Sequence, residues 1–153
     1  MSNEEIQILI TEAAPGAVFE KSGPYNAAVI QPEFLYAVML KLRNEPEADF
    51  DYLFCETCVD FLTYIDVVYH LESRKYKNQF VIKARLTDRV NPSIRTVSDI
   101  WRTAEYHERE AFDFFGVKFE HHPDMRRIFL EDEWMKGYPL RKDYDDPINI
   151  VSL

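Results

Sequence analysis

Two stretches of this chain allow one local arrangement and little else. In YIDVVYHLE the residues Ile65, Val67, Tyr69 and Leu71 recur at every second position, and in QFVIKARLT the residues Phe80, Ile82, Ala84 and Leu86 do the same. The polar run SRKYKN separates them. Successive side chains along a strand point to opposite faces, so each arm offers one apolar edge to a core. The spacing predicts an antiparallel hairpin, Tyr64 to Glu72 against Gln79 to Thr87, with one side buried.

A hairpin is only marginally stable by itself, so its neighbours must supply a second layer. SNEEIQILITEAA has Ser2 or Asn3 as an N-cap, Glu4 and Glu5 in the first turn, and Ile6, Leu9, Ile10 and Ala13 at helical spacing, before Pro15-Gly16 ends it. A short strand, Tyr25 to Ile30, leads into QPEFLYAVMLKLRNEP. There Pro32 suits a first helical turn, Phe34, Leu35, Val38, Met39 and Leu42 make one stripe, and Pro46 stops the helix. A further strand is expected over Asp51 to Val59.

After DRVNPSIRTV, Ser98 or Asp99 is the expected cap of a third helix. In it Trp101, Ala104, Glu108, Ala111 or Phe112, and Phe115 recur every three or four residues, and Gly116 suits a left-handed stop. On the opposite face Glu105, Arg109 and Asp113 are spaced so that acids bracket the arginine, and helix-face ion pairing is the expected role of Glu108 and Glu110. The order of elements predicts an α+β fold: a two-layer domain with a mainly antiparallel sheet and helices packed mainly on one face. Residues 1–116 form this domain, and 117–153 an extended, irregular C-terminal interaction tail of the same domain.

Charge and motifs exclude several functions. A formal net charge of -9 disfavours non-specific binding to nucleic acid or an anionic membrane, both of which need a basic face. No apolar run approaches the roughly 20 residues needed to span a bilayer, and the acidic start MSNEEIQILI is unlike a secretory signal, so a soluble or peripheral protein in the cytoplasm is expected. His107-Glu108 begins a zinc-binding H-E-x-x-H, but Ala111 stands where the second histidine belongs. Cys55 and Cys58 form a C-x-x-C in a strand-like run, where residues three apart face opposite sides, and no second cysteine pair completes a site. His121 and His122 diverge in extended chain, and the four glycines form no phosphate-binding loop. No enzyme site emerges. The tail, by contrast, holds Phe119, Ile128, Phe129, Leu130, Trp134, Tyr138, Leu140 and Tyr144, too much apolar surface for a solvated linker, interleaved with arginines as in buried interface centres. These residues alone fit a belt clamped either to its own domain or to another protein.

The same stretch, HEREAFDFFGVKFEHHPDMRRIFLEDEWMKGYPLRKDY, resembles the signature of the small peripheral-arm C-type subunit of respiratory complex I, the proton-pumping NADH:quinone oxidoreductase. Matching positions are Glu108, Arg109, Glu110, Asp113, Gly116, Phe119, His122, Pro123, Asp124, Arg126, Arg127, Ile128, Leu130, Asp132, Trp134, Gly137, Pro139, Leu140, Arg141, Lys142, Asp143 and Tyr144. Val59-Asp60, VVYHLES and the Pro92 to Trp101 approach extend the likeness upstream, whereas the first fifty residues carry no diagnostic feature. His121 departs from the usual Gly and Tyr138 from the usual His, and no fused second domain is expected to follow. The resemblance implies a non-redox peripheral-arm subunit with no cofactor or metal of its own, NADH, FMN, iron–sulfur clusters and quinone belonging to the assembled complex. It implies partners too: the hydrogenase-like subunit at the quinone site and nearby iron–sulfur subunits, at the cytoplasmic face of the inner cell membrane. The alternative is the equivalent scaffold subunit of a membrane-bound hydrogenase or of a ferredoxin-, F420-linked or photosynthetic relative. The expected interface residues are Glu108, Arg109, Glu110, Asp113, His122, Pro123, Arg126, Arg127, Trp134, Pro139, Leu140, Arg141, Lys142, Asp143 and Tyr144.

Overall fold

The predicted hairpin is the centre of the sheet. In a computed structural model that describes residues 1–146, strands β4 (Ile65–Glu72) and β5 (Gln79–Leu86) pair antiparallel with Val67 opposite Ala84, Tyr69 opposite Ile82 and Leu71 opposite Phe80. All eight apolar residues of the two arms are buried on one side. The part of the tail from 147 to 153 lies outside the described residues.

Helix α1 (Asn3–Ala13) starts at a capping box, the Ser2 hydroxyl accepting from the Glu5 N–H while the Glu5 carboxylate accepts from the Ser2 N–H. Two strands follow, β1 (Val18–Ser22) and β2 (Tyr25–Ile30), then a 3-10 turn at Pro32–Phe34, helix α2 (Leu35–Asn44) and strand β3 (Tyr52–Asp60). The five strands run in the order β1-β2-β5-β4-β3. Ile6 and Ile10 of α1 and Val38, Met39 and Leu42 of α2 share one core with the inward residues of β4 and β5 and with Ala104, Ala111 and Phe115 near the C-terminal end of the chain. The helices therefore cover one face, giving the two-layer α+β domain expected.

Four features differ from the sequence reading. β1 is an additional edge strand, unpredicted because Val18 is 61% exposed and the strand shows no apolar alternation. β2 pairs with β5 in parallel, so the sheet is mixed although its other three pairings are antiparallel. Helix α3 (Ala104–Phe115) begins well after Ser98 and Asp99. The Asp99 carboxylate accepts from the Tyr36 hydroxyl at 2.8 Å instead of capping, and Trp101 donates its indole N–H to the Phe50 carbonyl at 3.0 Å, which fixes the approach to the helix as turns. Strand β6 (Ser93–Arg95) and strand β7 (Lys118–Glu120), on either side of α3 in the chain, form a small parallel pair.

Candidate functional site

Gly116, with φ +74°, ends α3 in the left-handed conformation and sends the chain into β7. His121 then adopts φ +65°, a region glycine enters freely and other residues rarely occupy. From there the tail returns along α3 as a belt. Asp113, fully buried on the helix, accepts from the N–H groups of Ile128 at 2.9 Å, Phe129 at 2.7 Å and Leu130 at 3.2 Å, and from the Arg127 guanidinium at 3.2 Å. Burial alone would raise its pKa; the three backbone donors and Arg127 outweigh it and hold the carboxyl below its ordinary 3.8. One helix carboxylate thus folds a whole turn of the belt around itself.

Arg109 works in the complementary sense. It donates from Nε to the Arg126 carbonyl at 3.1 Å and from Nη2 to the Arg127 carbonyl at 2.9 Å. The expected bracketing of Arg109 by Glu105 and Asp113 is corrected accordingly: Asp113 is engaged by belt donors, so the guanidinium turns to the belt's carbonyls. A second clasp lies further along. Arg141 donates to the carbonyls of Phe115 at 2.7 Å and Arg89 at 2.9 Å, and the Leu140 N–H donates to the Phe114 carbonyl at 3.1 Å. The Arg141 guanidinium also sits over the Tyr138 ring, 4.7 Å from its centroid. That ring lies so close to Gly116 that a Cβ there would come within 2.4 Å of it. Tyr138 is therefore the packing lid on the helix stop.

Asp60, at the end of β3, completes the second clasp. It accepts from Arg89 at 3.0 and 2.7 Å, from the Leu62 N–H at 2.9 Å and from the Lys142 N–H at 2.9 Å, while Arg89 reaches on to Asp143 at 3.1 Å. Burial opposes ionisation of Asp60, but these donors hold its pKa below 3.8. Sequence reasoning gave Asp60 no role and missed Arg89. The available signal was phase: Asp60 shares the inward side of β3 with Glu56 and Cys58, and an inward acid needs partners.

The remaining expected site residues separate into two groups. The His122 ring is turned inward, its Nδ1 accepting from the Asp124 N–H at 3.0 Å and its Nε2 lying 2.9 Å from the Glu105 carbonyl. Pro139 is half-buried, Trp134 donates to the Gly137 carbonyl at 2.7 Å, and Tyr144 bonds Asp146 at 3.4 Å. Glu110, Pro123, Arg126 and Lys142 are exposed, Arg126 pairing with Asp124 at 2.9 Å and Lys142 lying over the Phe61 ring. Glu108 is not a surface ion-pairing acid. It is fully buried, accepting from the Thr96 hydroxyl and, at 2.8 Å, from the Val97 N–H, because its position belongs to the core-facing stripe of α3. Outside this frame the belt displays Phe129, Met135 and Leu140, which are 64%, 92% and 54% exposed, Phe129 stacking on Phe114.

Among the described residues no group of three or more His, Cys, Asp or Glu is placed to hold a metal, and no helix is long and apolar enough to cross a membrane. Cys55 and Cys58 are free thiols in different environments, Cys55 half-exposed and Cys58 in the core.

Residues 28–147 match the family of the respiratory-chain NADH dehydrogenase 30 Kd subunit. A C/D-type subunit of NADH-quinone oxidoreductase from Phocaeicola vulgatus is 47% identical over 125 residues, covering 81% of this chain and 24% of that protein. The C-type subunit of NADH-quinone oxidoreductase from Chloroherpeton thalassium is 42% identical over 110 residues, covering 71% of this chain and 45% of that protein. This chain thus spans under half the length of either relative. A chain in the structure of the membrane-bound sulfane sulfur reductase, an archaeal respiratory membrane complex, superposes with a TM-score of 0.70 at 28% identity, covering 95% of this chain and 86% of that one. Sequence and fold agree, and the chain belongs to the family of the 30 Kd subunit of respiratory-chain NADH dehydrogenase.

Proposed function

We propose that this chain is a non-redox, peripheral-arm subunit of a proton-translocating NADH:quinone oxidoreductase, where it supports assembly beside the hydrogenase-like quinone-site subunit and the terminal iron–sulfur clusters. NADH, FMN, the clusters and quinone then reside in other subunits, and the assembly sits on the cytoplasmic face of the cell membrane. The observation that carries this reading is the belt: its backbone is fixed by Asp113, Arg109, Arg141 and Asp60 while Phe129, Met135 and Leu140 face outward. A pre-ordered apolar rim surrounded by arginines loses little conformational entropy on docking, which is what an assembly surface needs. Relatives of the C/D type support a close neighbour of the D type. In this reading Glu108, Arg109, Asp113, His122 and Arg141 shape the interface from within, and Glu110, Pro123, Arg126, Arg127, Trp134, Pro139, Leu140, Lys142, Asp143 and Tyr144 meet partners.

Because the belt is bonded to α3, deleting it would damage the fold itself. Paired substitutions Met135→Glu and Leu140→Glu are the cleaner test. They should leave the circular dichroism spectrum and unfolding midpoint of the chain unchanged and abolish its co-purification with the quinone-site subunit; undiminished co-purification sinks the proposal. The match to an archaeal sulfane sulfur reductase complex supports a second reading, the equivalent scaffold of a hydrogenase-like or ferredoxin-linked complex. Mass spectrometry of the native complex separates the two: an NADH-binding flavoprotein subunit favours the first, a nickel-binding large subunit the second.

A further inference from the structure

Beneath α3 lies a set of ionisable side chains that the belt does not use. Glu56 of β3 faces the core, 4% exposed, directly opposite Tyr69 of β4 in the strand register. Among the described residues neither carboxyl oxygen of Glu56 and not the Tyr69 hydroxyl has a hydrogen-bond partner. Glu108 approaches from α3, but its own oxygens are taken by Thr96 and Val97. A carboxylate buried without a donor is strongly disfavoured, and taking up a proton is the usual escape.

Among the described residues no cation is hydrogen-bonded to Glu56. On β3 the neighbours are the thiols Cys55 and Cys58, and across the register stands the Tyr69 phenol. The helix contributes the acids Glu105 and Glu108, and the segment before it Thr96 and Asp99, the last already paired with Arg95 at 3.5 Å. His122, in the turn after β7, lies 3.6 Å from Glu108, but its Nδ1 accepts a hydrogen bond, so its proton sits on Nε2 and points at the Glu105 carbonyl. Arg141 of the belt acts on Cys58, its guanidinium held by the Phe115 and Arg89 carbonyls. Burial first, then the negative charge of Glu108, then Cys55, all push the Glu56 pKa up.

We propose that Glu56 is a proton-binding site in the core of this domain, a neutral acid throughout the neutral pH range, with Glu108 the member of the pair that ionises. A neutral carboxyl gains a donor, and Tyr69 stands at cross-strand distance, roughly 5 Å between Cβ atoms, so the two unpartnered groups can satisfy each other directly or through one buried water. The site is independent of what the belt docks against. Folding must then take up a proton: the unfolded side chain is ionised above its ordinary 4.5, the folded one is not, and the folding equilibrium weakens as pH rises.

The test uses the full chain. Its folding equilibrium is measured by urea unfolding between about pH 7 and 8.5 for the native sequence and for Glu56→Gln, which mimics the neutral acid; loss of one linked proton makes the native constant fall about tenfold more per pH unit than that of the variant. Parallel curves overturn the proposal. Carbon-13 NMR of the side-chain carboxyls in the native chain, assigned through the backbone, gives a second readout that needs no variant. The Glu56 carboxyl should keep the shift of a neutral acid through pH 7; a carboxylate shift there overturns the proposal even if Glu56→Gln does not fold.

Discussion

The side of α3 that faces the belt and the side that faces the sheet each bury a carboxyl group completely, Asp113 and Glu108, yet the two are driven in opposite electrostatic directions. Asp113 collects three backbone N–H groups and a guanidinium, and its pKa falls below 3.8. Glu108 has two neutral donors and acids for neighbours; burial dominates and its pKa rises from 4.5 to about 7. Burial depth does not decide whether a carboxyl is an anchor or a liability. The number and charge of its donors does. On one side of the helix a charge organises peptide, and on the other it strains the core.

The largest expected effect lies on the belt side. Asp113→Ala leaves three N–H groups and Arg127 without their acceptor and should lower unfolding stability by about 3–5 kcal/mol, as loss of one partner of a buried ion pair does. Urea unfolding reads the loss, and limited proteolysis should show first cleavage around residues 127–130. If Glu108→Ala costs as much and leaves the belt equally exposed to protease, the contrast between the two sides is wrong. For Asp113 the lowered pKa means its contribution is full above the ordinary 3.8 and is lost as pH falls through the folded value, so the native chain should release its belt in acid and Asp113→Ala should show no such step.

Arg141→Met tests the second clasp. An apolar stem is kept, but the guanidinium is removed from over Tyr138 and the Phe115 and Arg89 carbonyls lose their donor, at a cost of about 2–3 kcal/mol. Hydrogen exchange should rise at Leu140 and Lys142, whose N–H groups bond Phe114 and Asp60, and not at Phe129. Unchanged exchange at Leu140 would mean that Arg141 does not hold the belt.

On the sheet side Glu108→Gln should cost about 1 kcal/mol or less at neutral pH, since an amide oxygen can still accept one of the two bonds. Its signature is pH. With the folded pKa raised, the destabilisation from Glu108 is absent below 4.5, grows as pH rises and levels off above about 7. Glu108→Gln should flatten that part of the stability profile while leaving the acid limb from Asp113 intact, which separates the two sides in one experiment.

How much of this was legible in the sequence follows the same division. The hairpin and α2 were visible because apolar burial imposes a period, and all of their inward residues are in the core. The parallel pairing of β2 with β5 was not, because the two strands are far apart in the chain and nothing local encodes the partner. Helix spacing marked Arg109 and Asp113 but assigned Arg109 acidic partners it does not have; an interface role for these two and for Arg141 came only through a family resemblance. Side-chain-to-carbonyl clasps of this kind leave no periodic trace. Glu56 was passed over inside a C-x-x-C motif, although its place in the alternation already put it on the inward side with Cys58.

The smallest effect sharpens the belt side alone. His121 holds φ +65° at the turn that starts the belt's return, and a left-handed conformation costs an L-residue about 1–2 kcal/mol. Glycine removes that strain but gives the unfolded chain more freedom, by roughly 0.5–1 kcal/mol. His121→Gly should therefore stabilise the chain by about 0.5 kcal/mol, read as a shift in urea midpoint with an unchanged m-value. In combination with Asp113→Ala the gain should persist if the turn forms locally. If it vanishes, the turn is held in place by the belt's attachment to α3, and the anchor controls the conformation of residues well upstream of those it touches.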